Sequence, residues 1–510
     1  MSALPSYITV RSIIERVILA EGITAEIYVS YLSSRLTSQL YTAIYEARFK
    51  LLSNEGGFSE ILPSSQILKS KNFTLEMDKQ NIQTKKLQII KELLIGLALI
   101  LCMILVLFLP SLGKRRQETL ILIFGLANEQ LFRNKSISAL EKFLRDPLKV
   151  KLNSKDQIIV EYRSIFPRPR YWKYNIKVVF DIAMHLYKDE LNLRDKISLL
   201  SYSIKMYLDI LGKVSSGQLK TFSSKALVLD IPLGDILLKT SKNIELIVTP
   251  SNLFSKPCLY LALFGHFDST MIWYSANSIP IRSIDKFSTL IDESYYLLQH
   301  AKQHLVWTNS HKKYLESITL GSVSVRGSLM FYLPEQVYEK RVHGNFQISI
   351  FDVTPSHLEF YQSTFYSIKN CINFLSEIER VRSLLDYKYS KSGRVICSLK
   401  HKRELNSAHS QDYQSFTEML KHQKDWVIRN PNLDIYQLMI NSDFVICYPY
   451  TSPAIIAKEM GVPVCYFSPS SNFELLESIN GIPVHRSAKA LENHIELTLT
   501  EFLQTRSASS

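Results

Sequence analysis

The stretch DFVICYPYTSPAIIAKEMGVPVCYF, from Asp443 to Phe467, changes secondary structure twice within a short length. An apolar run ends in a turn rich in proline and hydroxyl groups, and helical periodicity begins near Pro453. Gly461 ends that helix, and VPVCYF returns to an apolar run of strand length. The stretch therefore predicts a strand, a helix and a second strand, which is the repeating unit of a parallel α/β sheet.

The turn before this helix carries two adjacent hydroxyls, Thr451 and Ser452. Either residue suits the N-cap, and Pro453 suits the first helical position, where its missing N–H costs nothing. Ligands of parallel sheets bind where strands end, and a helix N-terminus attracts anions. The turn therefore predicts either a simple helix cap or a site that receives a phosphate through hydroxyls and backbone amides.

Short apolar runs alternate with helical patterns over the second half of the chain, on both sides of a loop at residues 334–345. The predicted strands before the loop are ALVLDIP (226–232), NIELIVTP (243–250), CLYLALFG (258–265), HLVWTNS (304–310) and VSVRGSLMF (323–331). Those after it are FQISIFDV (346–353), RVICSL (394–399), DFVICY (443–448) and VPVCYF (462–467). Between Gln117 and Leu211 helical patterns dominate, including ETLILIFGLANEQLFRN, with one predicted strand at QIIVEY. This alternation predicts an α/β chain with two Rossmann-like domains that face a cleft.

The expected organisation has four parts. They are a helical N-terminal region at 1–88, a membrane segment at 89–113, an N-terminal Rossmann-like domain with a helical insertion at 114–335, and a C-terminal Rossmann-like domain at 336–510.

The segment from Leu93 to Gly113 contains 21 residues without a charge. About 20 apolar residues span the hydrocarbon core of a bilayer as a helix. Basic residues flank the segment on both sides: Lys85, Lys86, Lys91, Lys114, Arg115 and Arg116. This symmetry leaves the orientation open, and Pro110 also permits a monotopic insertion with both flanks on one side. The third alternative is the buried core helix of a soluble protein.

The composition favours anionic partners, because 60 Lys+Arg against 47 Asp+Glu leave a net charge of +13. Nucleotide phosphates, anionic lipids and nucleic acid all satisfy that charge. The six cysteines show no CxxC spacing, which indicates reduced thiols in a cytosolic compartment. The chain also has no HExxH and no Walker-type GxxxxGK[ST], so we expect neither a metal cofactor nor an ATPase.

PYTSP resembles the signature of the bacterial polysaccharide biosynthesis proteins named for a Pro-Phe-Thr-Ser motif, with Tyr450 in place of Phe. The surrounding layout resembles the C-terminal half of GT-B glycosyltransferases. The resemblance extends over residues 225–485 through MIWYSANSIPI (271–281), VRGSLMFY (325–332), ISIFDVTP (348–355) and SLKHKRE (398–404). It implies a metal-independent transferase that moves a sugar from a nucleotide-activated donor to a surface polysaccharide or a lipid-linked glycan.

For such a transferase we expect the donor phosphates to meet residues at the edge of the C-terminal sheet and near a tight turn. These candidates are Lys400, Lys402, Arg403, Tyr450, Thr451, Ser452, Gly327 and Ser328. For the three basic residues the alternative is a solvated basic turn. For Gly327 and Ser328 it is an interdomain hinge.

The acceptor sugar needs aromatic rings to stack on and polar groups to bind its hydroxyls. The segment after CLYLALFG supplies both: Trp273, Tyr274, Ser275 and Asn277. His266 or Asp268 is the expected general base for the acceptor hydroxyl. Asp352, at the end of a predicted strand, would touch the donor, position a loop or cap the next helix.

The expected partners are a nucleotide-sugar donor, a glycan or lipid-linked glycan acceptor and membrane lipids, with no nucleic acid and no cofactor. The expected location is the cytoplasmic side of the inner membrane. Two alternatives stay open: a catalytically silent scaffold of a glycan assembly complex, and a transferase of another phosphate-activated group of the glycerol phosphate type.

Overall fold

The computed structural model describes most of the chain from Lys71 onward. The described ranges are 71–108, 119–124, 157–161, 176–179, 181–216, 224–239, 243–248, 258–264, 266–273, 282–283, 301–316, 321–327, 345–355, 367–389, 394–402, 404–405, 409–431, 433, 435–449, 451–469, 473–474, 478–509. The predictions made for residues 1–70 and for Pro110 lie outside these residues.

The first sheet has seven parallel strands in the order β3-β2-β1-β4-β5-β7-β8. Its strands are β1 Leu120–Phe124, β2 Gln157–Glu161, β3 Ile176–Val179, β4 Ile244–Val248, β5 Asp268–Ile272, β7 Gln303–Val306 and β8 Ser322–Val325. The helices of this half are α1 Lys71–Leu107, α2 Ile182–Asp189, α3 Leu193–Ser215, α4 Ile231–Lys239, α5 Cys258–Leu263 and α6 Asn309–Glu316, with a π-helical turn, Ala226–Asp230, leading into α4.

The second sheet has seven strands in the order β11-β10-β9-β12-β13-β16-β15, parallel except for β15. Its strands are β9 Phe346–Phe351, β10 Val395–Lys400, β11 Trp426–Arg429, β12 Phe444–Cys447, β13 Val464–Phe467, β15 Ser478–Ile479 and β16 Ile482–His485. The helices of this half are α7 Ile368–Tyr389, α8 Gln411–Lys421, α9 Ile435–Ile440, α10 Ser452–Glu459 and α11 Ala488–Ser509.

The central strands are buried on both faces, which explains their unbroken apolar sequences. All four residues of β12 and all four of β13 are buried. Helices cover both faces of a parallel sheet, so neither face needs the polar residues that alternate in a half-exposed strand. The predicted fold class, α/β with two parallel-sheet domains, is confirmed.

Four segment assignments from the sequence were wrong. Residues 226–232 and 258–263 are helical rather than strands. ETLILIF and residues 176–179, both in the region where helical patterns dominate, contribute strands β1 and β3. A short apolar run buried on every side has the same composition in either state, so periodicity cannot distinguish a central strand from a core helix. These segments are buried in that way: Leu229 and Leu122 are both fully enclosed in the first core.

The predicted membrane segment lies within α1, a single helix of 37 residues. Its stretch Ile89–Leu107 has a mean hydropathy of 2.7 and is the one helical segment of the described chain that is long and apolar enough to cross a membrane. One side of the helix packs on the first domain, where Met103 is fully buried.

The two halves meet through loops that leave the C-terminal ends of their sheets. A two-residue strand after β5, β6 Arg282–Ser283, pairs in antiparallel fashion with a two-residue strand after β13, β14 Phe473–Glu474. The last strand of the first sheet ends at Val325, and the first strand of the second begins at Phe346. The predicted boundary between residues 335 and 336 falls in that interval.

Candidate functional site

Three neighbouring strands of the second sheet end together and bring three segments of the chain to one edge. β9 lies between β10 and β12, and all three are parallel. Phe351, the last residue of β9, is in register with Lys400 of β10 and Cys447 of β12. The residues that follow these strands therefore occupy the edge where parallel sheets bind ligands.

Asp352 and His401 form a buried pair at this edge. Asp352 follows β9, His401 follows β10, and the Oδ2 atom of the carboxylate lies 2.6 Å from Nδ1 of the imidazole. The Tyr413 hydroxyl, from α8, donates to the same Oδ2. The backbone N–H of Lys402 donates to Oδ1 over 2.9 Å. Asp352 therefore joins both strand ends and α8 in one hydrogen-bond network.

The network holds Asp352 as a carboxylate. Burial by itself would raise the pKa of Asp352, but the charge of His401 opposes it, as do hydrogen bonds from His401, Tyr413 and the Lys402 amide, so the pKa falls below its usual value. Burial and the adjacent Asp352 charge raise the pKa of Tyr413 well above its usual value. Tyr413 therefore stays a neutral hydrogen-bond donor.

The loop after Asp352 is held in a backbone conformation that β-branched residues rarely adopt. Thr354 has a φ of 50°. Its hydroxyl donates to Asp352 Oδ1 over 3.1 Å and accepts from the Lys402 N–H over 3.0 Å. Such backbone strain persists only where the surroundings enforce it, and it concentrates at functional sites.

The other nitrogen of His401, Nε2, is the atom of this network that is left to bind a ligand. The residue is 3% exposed, and no hydrogen-bond partner for its Nε2 exists among the described residues. A buried polar atom without a partner costs free energy, so a native site normally supplies one. With Nδ1 committed to Asp352, Nε2 can donate a hydrogen bond to an oxygen of a ligand or accept a proton.

The PYTSP turn follows β12 at the same edge. Thr451 occupies the N-cap position of α10, which the sequence predicted for either Thr451 or Ser452. Its hydroxyl, however, makes no capping hydrogen bond to the helix. That hydroxyl donates to the carbonyl of Tyr448 over 2.7 Å, and the Thr451 carbonyl accepts from Tyr466. Ser452 begins the helix and is 7% exposed. Tyr450 lies outside the described residues.

The basic residues at the end of β10 and after it have different surroundings. Lys400 donates through Nζ to the carbonyl of Pro431 over 2.7 Å, which turns it toward the loop after β11. The side chain of Lys402 is exposed beside the Asp352 network, which its backbone joins. Arg403 lies outside the described residues. Of the two basic candidates that the structure describes, Lys402 is the one whose backbone binds Asp352.

His266 and Asp268 lie at the N-terminal end of β5, whereas Trp273 follows its C-terminal end. Because CLYLAL is helix α5 and not a strand, His266 comes before β5, and Asp268 is its first residue. The Asp268 side chain is 87% exposed and pairs with Lys302 over 3.1 Å. The structure therefore does not bring this pair together with Trp273, the predicted acceptor residue that it describes.

Trp273 follows β5 at the C-terminal edge, but its ring is 3% exposed rather than open to solvent. Its indole N–H donates to His304 Nδ1 over 3.3 Å, and its carbonyl accepts from Trp307 Nε1 over 2.6 Å. A buried indole cannot be the stacking platform predicted for it. Tyr274, Ser275 and Asn277 lie outside the described residues.

Gly327 follows β8 and has a φ of +79°, which glycine adopts without strain. A Cβ atom there would lie 4.0 Å from a carboxylate oxygen of Glu459, in the second half of the chain. This placement agrees with the turn predicted for Gly327 and puts it beside the other domain. Ser328 lies outside the described residues.

One group of three potential metal ligands occurs among the described residues: Cys465, His485 and His494, with ligand atoms within 4.8 Å of one another. His485 Nε2 lies 2.8 Å from His494 Nδ1. Burial and then the charge of His494 lower the pKa of His485 to about 4, and burial lowers that of His494. The two rings thus form a neutral hydrogen-bonded pair, and the expectation of a metal-independent protein stays a prediction.

The sequence analysis selected Asp352 but missed His401 and Tyr413. His401 is part of SLKHKRE and directly follows a predicted strand. Ligands bind where parallel strands end, so this position could have identified His401 from the sequence. Tyr413 comes from α8 and is close to Asp352 only in the folded chain.

The chain is similar to several proteins of known structure. One is an α,α-trehalose-phosphate synthase (UDP-forming) from Burkholderia vietnamiensis, at 11% identity and a TM-score of 0.38, covering 75% of this chain and 92% of that one. Another is HepE from Anabaena in complex with UDP and glucose, at 12% identity and a TM-score of 0.38, covering 75% and 90%. A third is MnaA from S. aureus with UDP, at 12% identity and a TM-score of 0.35, covering 69% and 79%.

A search of the curated proteins found no match. A family model described as polysaccharide biosynthesis PFTS motif protein matches residues 230–495, a little more than half of the chain. The match includes β9, β10, β12 and the whole Asp352 network, so the site just described lies inside the family's defining region. The chain therefore belongs to the family of polysaccharide biosynthesis PFTS motif proteins.

Proposed function

We propose that the protein is a glycosyltransferase that moves a sugar from a nucleotide-activated donor to a surface polysaccharide or a lipid-linked glycan. The donor binds at the C-terminal edge of the second sheet, and Nε2 of His401 binds its phosphate. Membership of a polysaccharide biosynthesis family and two parallel-sheet domains support this reading. The observation that carries the proposal is the buried Nε2 atom, which has no partner among the described residues.

The chemistry of the leaving group explains why such an atom is useful. A departing nucleotide carries negative charge on its phosphate oxygens, and fixed hydrogen-bond donors stabilise that charge as it develops. The Asp352 carboxylate lies 2.6 Å from Nδ1 and fixes the orientation of the ring. A hydrogen bond from Nε2 to an ionised phosphate oxygen is charge-assisted, which makes it stronger than one between neutral groups. Lys402 and the amide end of α10 add positive potential at the same edge.

The remaining parts of the proposal rest on the sequence. The acceptor binds in the loop after β5, and the reaction uses no metal and no other cofactor. The enzyme works at the cytoplasmic face of the inner membrane, where nucleotide-sugars and lipid-linked acceptors meet.

The test measures nucleotide binding and turnover by the full-length protein. The panel holds the diphosphates of uridine, guanosine, cytidine, adenosine and thymidine, read by the shift in Tm, and the corresponding nucleotide-sugars, read by release of free nucleotide. We expect one base to bind, and His401→Gln to weaken that binding about tenfold or more through the lost charged hydrogen bond. His422→Gln is the matched control, because that histidine is 78% exposed at the end of α8.

Failure of every nucleotide to shift Tm would overturn the proposal in favour of the silent scaffold. Turnover of a cytidine diphosphate-glycerol donor, with no turnover of any nucleotide-sugar, would identify the glycerol phosphate alternative. Equal affinity of His401→Gln and the unaltered protein would show that the donor binds elsewhere.

A further inference from the structure

The outer side of the first domain carries an apolar surface built from two helices, α1 and α3. On α1 the residues that face outward are Ile90, Leu94, Leu97, Leu101, Leu105 and Phe108, each between 43% and 82% exposed. They recur every three or four positions, so they form one continuous stripe along the helix. From Leu94 to Phe108 this stripe contains no charged residue. It is about 21 Å long at the rise of an α-helix.

A second apolar stripe runs along α3. It consists of Leu193, Ile197, Ile204 and Leu208, each between 38% and 61% exposed. At roughly 100° per residue these four side chains lie within an arc of about 60° on the helix. The exposed residues Arg194 and Lys205 occupy the next 60° or so.

The two stripes are neighbours on the same surface. Leu200 and Tyr207 on α3 and Leu93 and Ile104 on α1 pack against one buried cluster between the helices. On the α3 wheel, Leu200 and Tyr207 adjoin the apolar stripe on the side away from Arg194 and Lys205. The surface therefore consists, from one side to the other, of the α1 stripe, the contact between the two helices, the α3 stripe, and the basic residues Arg194 and Lys205.

The inner side of α1 is firmly attached to the domain. The Tyr187 hydroxyl donates to the carbonyl of Met103 over 3.1 Å, and the Tyr207 hydroxyl donates to that of Leu93 over 3.0 Å. A Cβ atom at Gly96 would lie 2.8 Å from the Tyr207 ring, so the two helices touch there. A helix bonded along this length to an α/β domain cannot also be surrounded by lipid.

We propose that α1 and α3 together form a monotopic membrane-binding surface, in which the outer stripes enter one leaflet of an anionic bilayer and α1 does not cross it. Charge complementarity selects the bilayer over a protein partner. Arg194 and Lys205 border the stripe on α3. On α1, Lys85 and Lys86 precede the stripe in the sequence, and Lys91 follows its first residue, Ile90. Basic residues beside an inserted apolar face attract anionic headgroups, while their long aliphatic stems reach out of the apolar layer.

The surface also explains an exposed thiol. Cys102 is exposed on α1, next to Leu101, whereas the cysteines of the second domain are buried. It therefore provides a native probe of the proposed contact, because a thiol in a leaflet is shielded from charged reagents in water.

The test uses the full-length protein with vesicles of phosphatidylcholine alone or mixed with phosphatidylglycerol, and it needs neither donor nor acceptor. We expect flotation with the anionic vesicles, weaker flotation with the neutral ones, and protection of Cys102 from a charged maleimide once vesicles are added. Cys102→Ser is the blank for labelling. Protease added outside the vesicles should remove an N-terminal tag and a C-terminal tag equally, because both lie on one side.

Two adjacent residues of α3 provide a matched pair of variants. Ile197→Glu places a charge in the stripe, and Ser198→Glu places the same charge on the exposed polar side. We expect the first to weaken vesicle binding about tenfold, and the second less than about threefold.

Protection of one tag inside the vesicles would overturn the proposal in favour of a spanning helix. Absence of flotation would overturn it too: a dimer by light scattering would then assign the surface to a second copy, and a Cys102 that does not react even without vesicles would assign it to residues 1–70. These outcomes are independent of nucleotide binding, so they leave the proposed transferase activity to its own test.

Discussion

Asp352 shows how a single residue can organise a site. Its carboxylate binds His401, Tyr413 and the amide of Lys402, so it fixes the ends of two strands and one helix at once. A buried carboxylate remains charged only when its partners compensate for lost hydration. The bond that helps to keep Asp352 charged also engages Nδ1 of His401, whose Nε2 has no partner among the described residues. The stability of this part of the sheet and the binding capacity of His401 therefore depend on the same contact.

His311, on α6, should make the protein sensitive to acid. The residue is fully enclosed against Trp273, and burial, followed by the charge of His304, lowers its pKa from 6.5 to about 3. Its neutral form is thus favoured by folding. The contribution of neutral His311 to the free energy of unfolding is fully present above pH 6.5 and falls as the pH drops toward 3. The reason is that the unfolded chain binds a proton on this residue that the folded chain does not bind. The expected loss is about 2 kcal/mol between pH 7 and pH 5.

Urea unfolding at several pH values tests this expectation. His311→Leu should flatten the decline in the free energy of unfolding between pH 7 and pH 5, whatever its effect at pH 7. His422→Leu, at an exposed histidine, should leave the slope unchanged. An unaltered slope in His311→Leu would contradict the assignment and point to His485 and His494, whose pKa values are also lowered.

At the scale of elements, the contact between α1 and α3 depends on a glycine. Gly96→Ala should destabilise the protein by roughly 1 to 3 kcal/mol, because the new methyl group would displace the Tyr207 ring and its hydrogen bond to Leu93. The free energy of unfolding in urea measures this cost.

Gly212→Ala is the control, since Gly212 lies in α3 with nothing within 4 Å of the new atom. In that position alanine should stabilise the helix by up to about 1 kcal/mol. Equal effects of the two substitutions would mean that α1 does not rest on α3.

Elements with clear sequence signals formed where the sequence predicts them. β9, β12 and β13 lie within predicted strands, and β10 agrees with its predicted strand to within one residue at each end. The assignments that failed, such as 226–232 and 258–263, are short apolar runs without periodicity. Their state is decided by which neighbours enclose them, and that information is not local in sequence.

Among the described residues, each of the two sheets has its own large apolar core. We expect two transitions in scanning calorimetry, because each sheet completes its own buried cluster. The bound nucleotide should raise only the transition of the second domain, by roughly 5 to 10 °C at a concentration a hundred times Kd. His401→Gln, with binding about tenfold weaker, should reduce that shift to roughly half at the same nucleotide concentration.

Trp307 contacts both domains and could couple their unfolding. It follows β7 of the first sheet and donates to the Trp273 carbonyl, yet its side chain belongs to the second core. A single transition that moves as a whole with nucleotide would mean that such contacts couple the two domains.

The sequence by itself determined the fold class, the positions of β9, β10, β12 and β13, the apolar segment and the PYTSP turn. Each of these depends on the hydrophobicity and backbone preferences of neighbouring residues. Only the tertiary structure decided that His401 and Tyr413 meet at Asp352, and that one side of α1 is buried while the other joins α3 in an apolar surface. These features join residues far apart in the chain, and their distances are set by strand register and helix packing, which no short stretch of sequence contains.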